Sequence, residues 1–208
     1  MLLKGWKHII SRVHEGTDIG DKKANQPQLQ VIQGGHQFEM SLGRYVITAA
    51  PTIKPPFPID AVVEEEDTFL VLSAEARVRK PEGSFLKIMT NVIETRPETP
   101  GTVLLRGKNP IRLLAIIHDL NQDPNWKEAW IKSALNRIFH VSDRRKLQSI
   151  ALPFLGTHHG TLDKKRFVVI LRHALQKNSP SYLQRLWLVM PVGTGMKTLE
   201  MLRAALEK

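Results

Sequence analysis

From Ile59 to the end of the chain, short runs of apolar residues typical of strands alternate with segments whose apolar residues have helical spacing. Short apolar runs, IDAVV, TVLL, RLLAIIHDL, LQSIALPFL and RLWLVMP, with FLVLS as a weaker one, read as β-strands. RLLAIIHDL is long enough to predict a strand buried on both faces. Segments with helical spacing separate most of these runs. The alternation predicts a largely parallel sheet covered by helices, a three-layer α/β/α sandwich with a mostly parallel mixed sheet.

Four helices are predicted in this region. SFLKIMTNVIE begins at Ser84 as N-cap, and a better marked helix has Asp123 as its cap and Pro124 at its first position, ending near the basic run from Arg144 to Lys146. LDKKRFVVILRHALQK and GMKTLEMLRAALEK are the other two. The residues expected on the buried helix faces are Trp126, Trp130, Ala134, Ile138, Phe167, Leu171, Ala174, Leu175, Leu199, Leu202 and Leu206.

Residues 1–37 read as an N-terminal extension, and residues 38–208 as the α/β domain. Apolar residues from Leu2 to Val13 have helical spacing, and the polar stretch EGTDIGDKKANQPQ follows as a loop. LQVIQ and FEMSLGRYVIT flank Gly34-Gly35 and predict a β-hairpin, which could extend the sheet or pair with another subunit. AAPTIKPPFP, near residues 49–58, is too rich in proline for a helix or a central strand and reads as an insertion.

Composition narrows the class of protein. A chain of 208 residues without cysteine has neither disulfides, thiolate metal sites nor cysteine nucleophiles. No apolar run approaches the roughly 18 residues that span a bilayer, and the start is too interrupted by charge for a secretory signal, so a cytoplasmic protein with no membrane partner is predicted. The formal net charge of +10 favours anionic partners such as nucleotides or nucleic acid, although it does not say where the charge lies.

The Gly-Thr-His-His-Gly loop is the main candidate for binding. It follows the strand SIALPFL and precedes a basic helix, and ligands of parallel sheets usually lie beyond the carboxyl ends of the strands. Gly156 and Gly160 permit a tight turn, Thr157 and Thr161 supply hydroxyls, and Thr161 is placed to cap the helix. Amides at a helix start favour a phosphate. The alternative is an ordinary turn that connects a strand to a helix and binds nothing.

Three ordered motifs carry a resemblance. Asp60-Ala61-Val62-Val63, Ile116-Ile117-His118 and the run from Ser149 to Pro153 with Gly156-Thr157 resemble the corresponding motifs of macro domains, the ADP-ribose-binding modules. The resemblance covers roughly residues 38–208 and implies a divergent macro-domain fold with an N-terminal helix and hairpin added. It implies ADP-ribose or a related nucleotide phosphate as partner, held by residues 156–161, with Asp67 and Pro191 forming the wall of the site.

The chain departs from the family pattern at several binding positions. Glu64 and Asp67 stand where the family has asparagines, and a solvated turn is the preferred reading for Glu65. SAEARVRKPEGS replaces the glycine-rich loop. Gly43-Arg44 stands for the Gly-Asp pair that recognises adenine, and no aromatic residue follows the last strand. Since the family's hydrolysis relies on the replaced segments, binding without that chemistry is predicted.

Several alternatives stay open. His158 and His159 could contact phosphate or distal ribose, or plug the pocket, whereas a metal site that adds His118 and Asp119 is disfavoured. No metal and no cofactor is predicted. The main alternative function is a nucleic-acid-binding or scaffold protein with an obstructed pocket. A third is a hydrolase of ADP-ribosyl or phosphorylated substrates that uses Glu64, Asp67 or a loop histidine as base. Oligomeric state, including a homodimer, is left open.

Overall fold

A computed structural model describes residues 28–32, 35–72 and 96–207 of the chain. The predicted N-terminal helix and the predicted helix over residues 84–94 lie outside these ranges. The strands are β1 Gln28–Ile32, β2 Gly35–Leu42, β3 Tyr45–Pro51, β4 Ala61–Asp67, β5 Val103–Arg106, β6 Ile111–His118, β7 Ser149–Leu152 and β8 Arg185–Met190. The helices are α1 Glu128–Arg145, α2 Lys164–Asn178 and α3 Met196–Glu207.

The strands form one eight-stranded mixed sheet in the order β1-β2-β3-β8-β7-β4-β6-β5. The five central strands, which are β3, β8, β7, β4 and β6 in sheet order, run parallel. Strands β1 and β2 at one edge and β5 at the other are added antiparallel. The β1–β2 hairpin therefore extends the sheet. This architecture confirms the predicted α/β fold with a mostly parallel mixed sheet.

The three described helices pack on one face of the sheet, and the main core lies between them and the strands. Ala61, Val63, Leu113 and Ile117 point from the sheet into this core, where they meet buried residues of α1, α2 and α3. Nine of the predicted inward residues are buried there: Ala134, Ile138, Phe167, Leu171, Ala174, Leu175, Leu199, Leu202 and Leu206. The prediction is wrong for Trp126 and Trp130, which are only half-buried because Trp126 precedes the helix and Trp130 lies in its first turn.

A smaller cluster lies on the opposite face of the sheet. Phe57, from the proline-rich segment, packs there with Ala50, Ala151 and Trp187. The indole N–H of Trp187 donates to the carbonyl of Ala50 at 2.9 Å. The expectation that this segment contains no central strand is wrong for residues 49–51, which end β3 and pair with β8. The rest of the segment contributes to the second face of the sheet through Phe57.

Two motif residues tie neighbouring strands together at their amino ends. The carboxylate of Asp60 accepts from the backbone N–H groups of Gln148 and Ser149 at 2.7 and 3.0 Å. In return, the hydroxyl of Ser149 accepts from the N–H of Asp60 at 3.0 Å. This reciprocal pair sets β4 beside β7, as the backbone pairing of the two strands requires.

Three boundaries differ from the sequence predictions. FEMSLGRYVIT is not one strand, because the chain reverses at Gly43-Arg44 and pairs β2 with β3. Residues 69–72 of FLVLS form turns, because Asp67 bonds the amides that a strand would have used. The helix after Asp123-Pro124 begins at Glu128 with Lys127 as N-cap, so Trp126 precedes it. Its end at Arg145 agrees with the prediction.

Glu128 links the first turns of α1 and α2. Its carboxylate accepts two hydrogen bonds from the guanidinium of Arg166, at 3.0 and 2.8 Å, and pairs with Lys132 at 2.5 Å. The hydrogen bonds from Arg166 and then Lys132 lower the pKa of Glu128 to about 2. A carboxyl with a lowered pKa stabilises the fold above its ordinary pKa, and this contribution is lost as the pH falls towards 2.

We expect Glu128→Gln to lower the free energy of unfolding by about 0.5–1 kcal/mol at neutral pH, a modest value because solvent screens the exposed partners. The difference from the unchanged protein should stay constant above about pH 5 and shrink in urea titrations as the pH is lowered from there to about 3. Glu200→Gln, at an exposed glutamate of α3 that has no ion pair in the described part of the chain, is the control. A pH-independent difference would contradict this role of Glu128.

Candidate functional site

The carboxyl ends of the parallel strands bring several predicted site residues to one edge of the sheet. β4 ends at Asp67, β6 at His118 and β8 at Met190, while β7 leads into the loop of residues 153–163. Because β4, β7 and β8 are neighbours and parallel, Asp67, Pro191 and the Gly-Thr-His-His-Gly loop lie at this edge. The predicted position of the loop is confirmed.

Gly156 forms the tight turn at the start of this loop. Its φ is +77°, in the left-handed region that favours glycine, and a Cβ built there would lie 2.6 Å from Cδ1 of Ile131. Its carbonyl accepts from the N–H of Leu162 at 3.1 Å, which closes the loop on itself. Gly156 is therefore required by the shape of the loop and by its contact with α1.

The backbone N–H of Gly156 points to a carboxylate of the protein itself. Oε2 of Glu65 accepts this hydrogen bond at 3.0 Å, and the N–H of Thr157 donates to the carbonyl of Phe154 at 3.1 Å. Neither amide faces an open hollow. The expectation that Gly156 and Thr157 present free amides to a phosphate is wrong, because internal acceptors already engage both groups.

Glu65 has a second partner below the loop, His118. Oε1 of Glu65 lies 2.5 Å from Nε2 of His118, and the two side chains are 9% and 1% exposed. The preferred reading of Glu65 as a solvated turn is wrong. The alternation along β4 explains the error, because Glu65 shares the parity of Ala61 and Val63 and therefore points into the helix-covered core.

His118 is held by backbone contacts as well as by Glu65. The carbonyl of His118 accepts from the N–H of Thr68 at 2.9 Å, and the backbone of His118 forms an isolated antiparallel β-bridge with that of Trp126. Its Nδ1 is buried without a hydrogen-bond partner in the described part of the molecule. This geometry makes His118 a buried joint between β4, β6 and the segment that precedes α1.

The two loop histidines lie on the outside of the turn. His158 and His159 are exposed, with ring centroids 4.5 Å apart, and the ring of His159 stands edge-on to that of His118 at 6.1 Å. Gly160 lies close against Trp126, since a Cβ there would approach Cδ1 of the indole to 3.0 Å and collide with the carbonyl oxygen of Gly156. The imidazoles therefore project into solvent beside a turn with no spare space beneath it.

The start of α2 is capped by Asp163 and not by Thr161. The carboxylate of Asp163 accepts from the N–H of Arg166 at 3.0 Å, whereas Thr161 is exposed and lies before the cap. Asp163 brings a negative charge to the helix terminus, where it competes with any phosphate for the same partial positive charge. The helix terminus itself is therefore a weaker anion site than the sequence implies.

Among the described residues, the backbone N–H groups of residues 158–161 have no protein acceptor, unlike those of Gly156, Thr157 and Leu162. His158, His159 and Thr161 are exposed and Gly160 is half-buried, so these four N–H groups belong to the exposed part of the loop. They are the amides of this loop that a ligand could accept from.

Asp67 has a structural partner for each oxygen. Its carboxylate accepts from the N–H groups of Phe69, Val71 and Leu72 at 2.7–2.9 Å, and the residue is fully buried. Glu64 forms a two-point ion pair with Arg112 on the other face of the sheet. Both carboxylates thus support the fold locally, and the geometry does not offer Asp67 to a ribose.

Pro191 is exposed at the end of β8. Its carbonyl accepts from the N–H and hydroxyl of Thr194, at 3.3 and 2.7 Å, which forms a compact turn before α3. This position fits the predicted wall of a site next to the β7 loop. In the described ranges no three histidine, aspartate or glutamate side chains converge as a metal site would require.

Two features of the edge were missed by sequence reasoning, the Glu65–His118 pair and Trp126 beneath Gly160. The parity of β4 could have revealed the burial of Glu65. The contact of Trp126 depends on where α1 begins, and no helical signal marks Lys127 as the cap.

Solved macrodomain structures resemble this chain in fold. A single-residue mutant of the Oceanobacillus iheyensis macrodomain matches with a TM-score of 0.59 at 13% identity, over 85% of this chain and 96% of that one. The same macrodomain with ADP matches at 0.58 and 12% identity, over 82% and 95%. The macrodomain of Thermus aquaticus DarG matches at 0.50 and 14%, over 70% and 98%.

No family model matches the sequence, and no curated protein matches it. At such low identities the structural matches establish the fold, and this chain accordingly has the macrodomain fold in a divergent form. No helix in the described ranges is long and apolar enough to cross a bilayer.

We expect Glu65→Ala to lower the free energy of unfolding by about 2–4 kcal/mol, because it leaves the buried N–H of Gly156 and ring nitrogen of His118 without their acceptor. Glu64→Ala is the matched neighbour and should cost about 1 kcal/mol or less, since its pair with Arg112 is partly exposed. Chemical denaturation compares the two. Equal losses would show that Glu65 does not hold the loop.

Proposed function

We propose that the protein binds ADP-ribose or a related nucleotide phosphate at the carboxyl edge of its sheet. The observation that carries the proposal is the run of four consecutive N–H groups at residues 158–161, in the exposed part of the loop, which have no acceptor in the described part of the chain. Solved structures of the same fold include the Oceanobacillus iheyensis macrodomain with ADP and a mutant of it with ADPR. Consecutive backbone donors of this kind suit a phosphate.

The proposed roles within the loop differ from residue to residue. Gly156 and Gly160 give the turn its shape, and the N–H groups from His158 to Thr161 donate to the phosphate oxygens. The exposed rings of His158 and His159 contact the phosphates or the distal ribose, and the half-exposed hydroxyl of Thr157 adds a further donor. Pro191 forms the neighbouring wall.

Glu65 limits how deeply the ligand can bind. Its carboxylate lies below the turn and already accepts from Gly156, so a phosphate that approached Gly156 would be repelled. The proposed anion therefore sits at the outer side of the loop, above the imidazoles. This placement predicts weaker binding than a loop with all of its amides free would give.

Binding without hydrolysis is the second part of the proposal. Glu64 is paired with Arg112, both oxygens of Glu65 are engaged, and the buried Asp67 holds its own turn. A general base needs an oxygen within reach of a water or a substrate proton. The partners of these three carboxylates support a site that holds its ligand and does not cleave it.

Titration calorimetry with ADP-ribose tests the site, with His158→Ala/His159→Ala as the variant. We expect the affinity to fall about five- to tenfold, because two ligand-facing donors are lost. His140→Ala/His173→Ala removes two exposed histidines from α1 and α2 and should leave the affinity unchanged. Absence of both heat and thermal shift at about millimolar ADP-ribose for the unchanged protein would refute the proposal.

A second variant tests the backbone donors directly. Gly160→Ala should reduce the affinity for ADP-ribose more than tenfold, since its Cβ collides with the carbonyl of Gly156 and forces the loop to rearrange. Gly195→Ala is the control, because a Cβ at Gly195 meets no atom within 4 Å. Circular dichroism checks that both variants fold. Unchanged binding by folded Gly160→Ala would exclude the loop amides as donors.

A further inference from the structure

The amino ends of the parallel strands carry a second charged surface, opposite the candidate site. We call it the amino-pole basic face and define it by Arg44, Arg106, Arg144, Arg145 and Lys146. Arg44 precedes β3, Arg106 ends β5, and the other three stand at the carboxyl end of α1, which returns the chain to the start of β7. All five side chains are exposed.

The charges of this face are not neutralised by ion pairs within the described ranges. The ion pairs found there join other residues: Arg112 with Glu64, His118 with Glu65, Lys132 and Arg166 with Glu128, and Arg203 with Glu207. Two aspartates near the face are already used by the backbone. Asp60 accepts from Gln148 and Ser149, and Asp143 accepts from the N–H groups of Ser181 and Tyr182.

A chain of contacts links Arg44, Arg144, Arg145 and Lys146, and Arg106 follows a residue that this chain reaches. Arg144 and Arg145 line a cavity of about 410 Å³ together with Leu105 and Val141, which brings the end of α1 to the edge strand β5. On the other side, Lys146 lies over the ring of Tyr182 at 5.7 Å. The guanidinium of Arg44 then donates to the carbonyl of Ser181, the residue before Tyr182.

Stabilisation of α1 does not by itself account for this arrangement. Arg144 and Arg145 lie in the last turn of a helix, where positive charge is favourable. Arg106, however, ends an edge strand, and Arg44 precedes β3 and donates to the carbonyl of Ser181, beyond the carboxyl end of α2. Exposed positive charge from three separate parts of the chain is therefore gathered at one end of the sheet.

The chemistry of the face selects a partner. Exposed arginine side chains without a carboxylate partner among the described residues suit phosphate oxygens, and the net charge of +10 adds long-range attraction. Tyr182 is 43% exposed with Lys146 over its ring, and the hollow that Arg144 and Arg145 line has apolar walls at Leu105 and Val141. A duplex hides the faces of its bases, whereas a single strand can stack a base on tyrosine and insert one into an apolar hollow.

We propose that the amino-pole basic face binds single-stranded nucleic acid, with arginines on the phosphates and Tyr182 as a stacking platform. The surface is separate from the loop of residues 156–161, at the other end of the same strands. A small nucleotide ligand and a nucleic-acid strand would therefore not compete.

Fluorescence anisotropy with labelled 20-nucleotide single-stranded DNA and RNA of mixed sequence tests the proposal. We expect Arg144→Ala/Arg145→Ala to weaken binding roughly tenfold and to reduce the slope of log affinity against log salt by about 1.4, which corresponds to two phosphate contacts. Arg96→Ala/Lys197→Ala removes the same charge from exposed positions at the carboxyl pole and should change the affinity less than about twofold.

Variants of Tyr182 separate stacking from charge. Tyr182→Ala should weaken single-strand binding about tenfold, whereas Tyr182→Phe keeps the ring and should bind as the unchanged protein does. Thermal unfolding confirms that each variant is folded. Equal effects of Ala and Phe would overturn the stacking role.

Further outcomes would overturn the assignment of the face. One is failure of the unchanged protein to bind single strands at low salt, and another is an equal loss of affinity in the two double variants. Tighter binding of a duplex than of a single strand, or binding of polyglutamate as tight as that of a single strand, would overturn it as well. Displacement of the strand by saturating ADP-ribose would contradict the separation of the two surfaces. Failure of ADP-ribose to bind, with strand binding intact, would remove the proposed small-ligand site and leave this one standing.

Discussion

The carboxylate of Glu65 is the constraint on which the carboxyl edge depends. It joins three parts of the chain, because it projects from β4, meets His118 at the end of β6 and accepts from Gly156 after β7. A buried carboxylate is costly unless its oxygens have partners, and here both have one. The same contacts that satisfy the charge also fix the height and direction of the loop that follows β7.

This arrangement decides which groups of the carboxyl edge are occupied within the chain. Glu65 holds the loop after β7 by accepting from the N–H of Gly156, and the carbonyl of Phe154 accepts from that of Thr157. The N–H groups of residues 158–161 have no acceptor in the described part of the chain. Asp60 and Ser149, two of the residues that carry the resemblance in sequence, have a structural task at the opposite end of the sheet. Similarity at those two positions therefore indicates only that β4 and β7 pair in the same way. What the site can bind depends on the loop and on Glu65.

Patterns of apolar residues predicted most strands of the sheet and most buried positions of the three described helices, since burial repeats with the period of each element. Three details depended on contacts between distant residues. The chain turns after Asp67 because that side chain binds amides up to Leu72, and α1 starts at Glu128 despite a better capping residue upstream. The inward direction of Glu65 could have been read from its parity with Val63. Its partner, His118, is 53 residues away and could not.

Helix α1 has 18 residues and so extends about 27 Å along the sheet. Near its first turn, Ile131 touches Gly156 with no room for a methyl group, and its last turn carries Arg144 and Arg145. The helix thus acts as a rigid spacer between the two ends of the molecule. If the turn at Gly156 moved, α1 would move with it as a rigid body. A ligand at the loop of residues 156–161 and one at the amino-pole basic face would therefore stay at a fixed distance from each other.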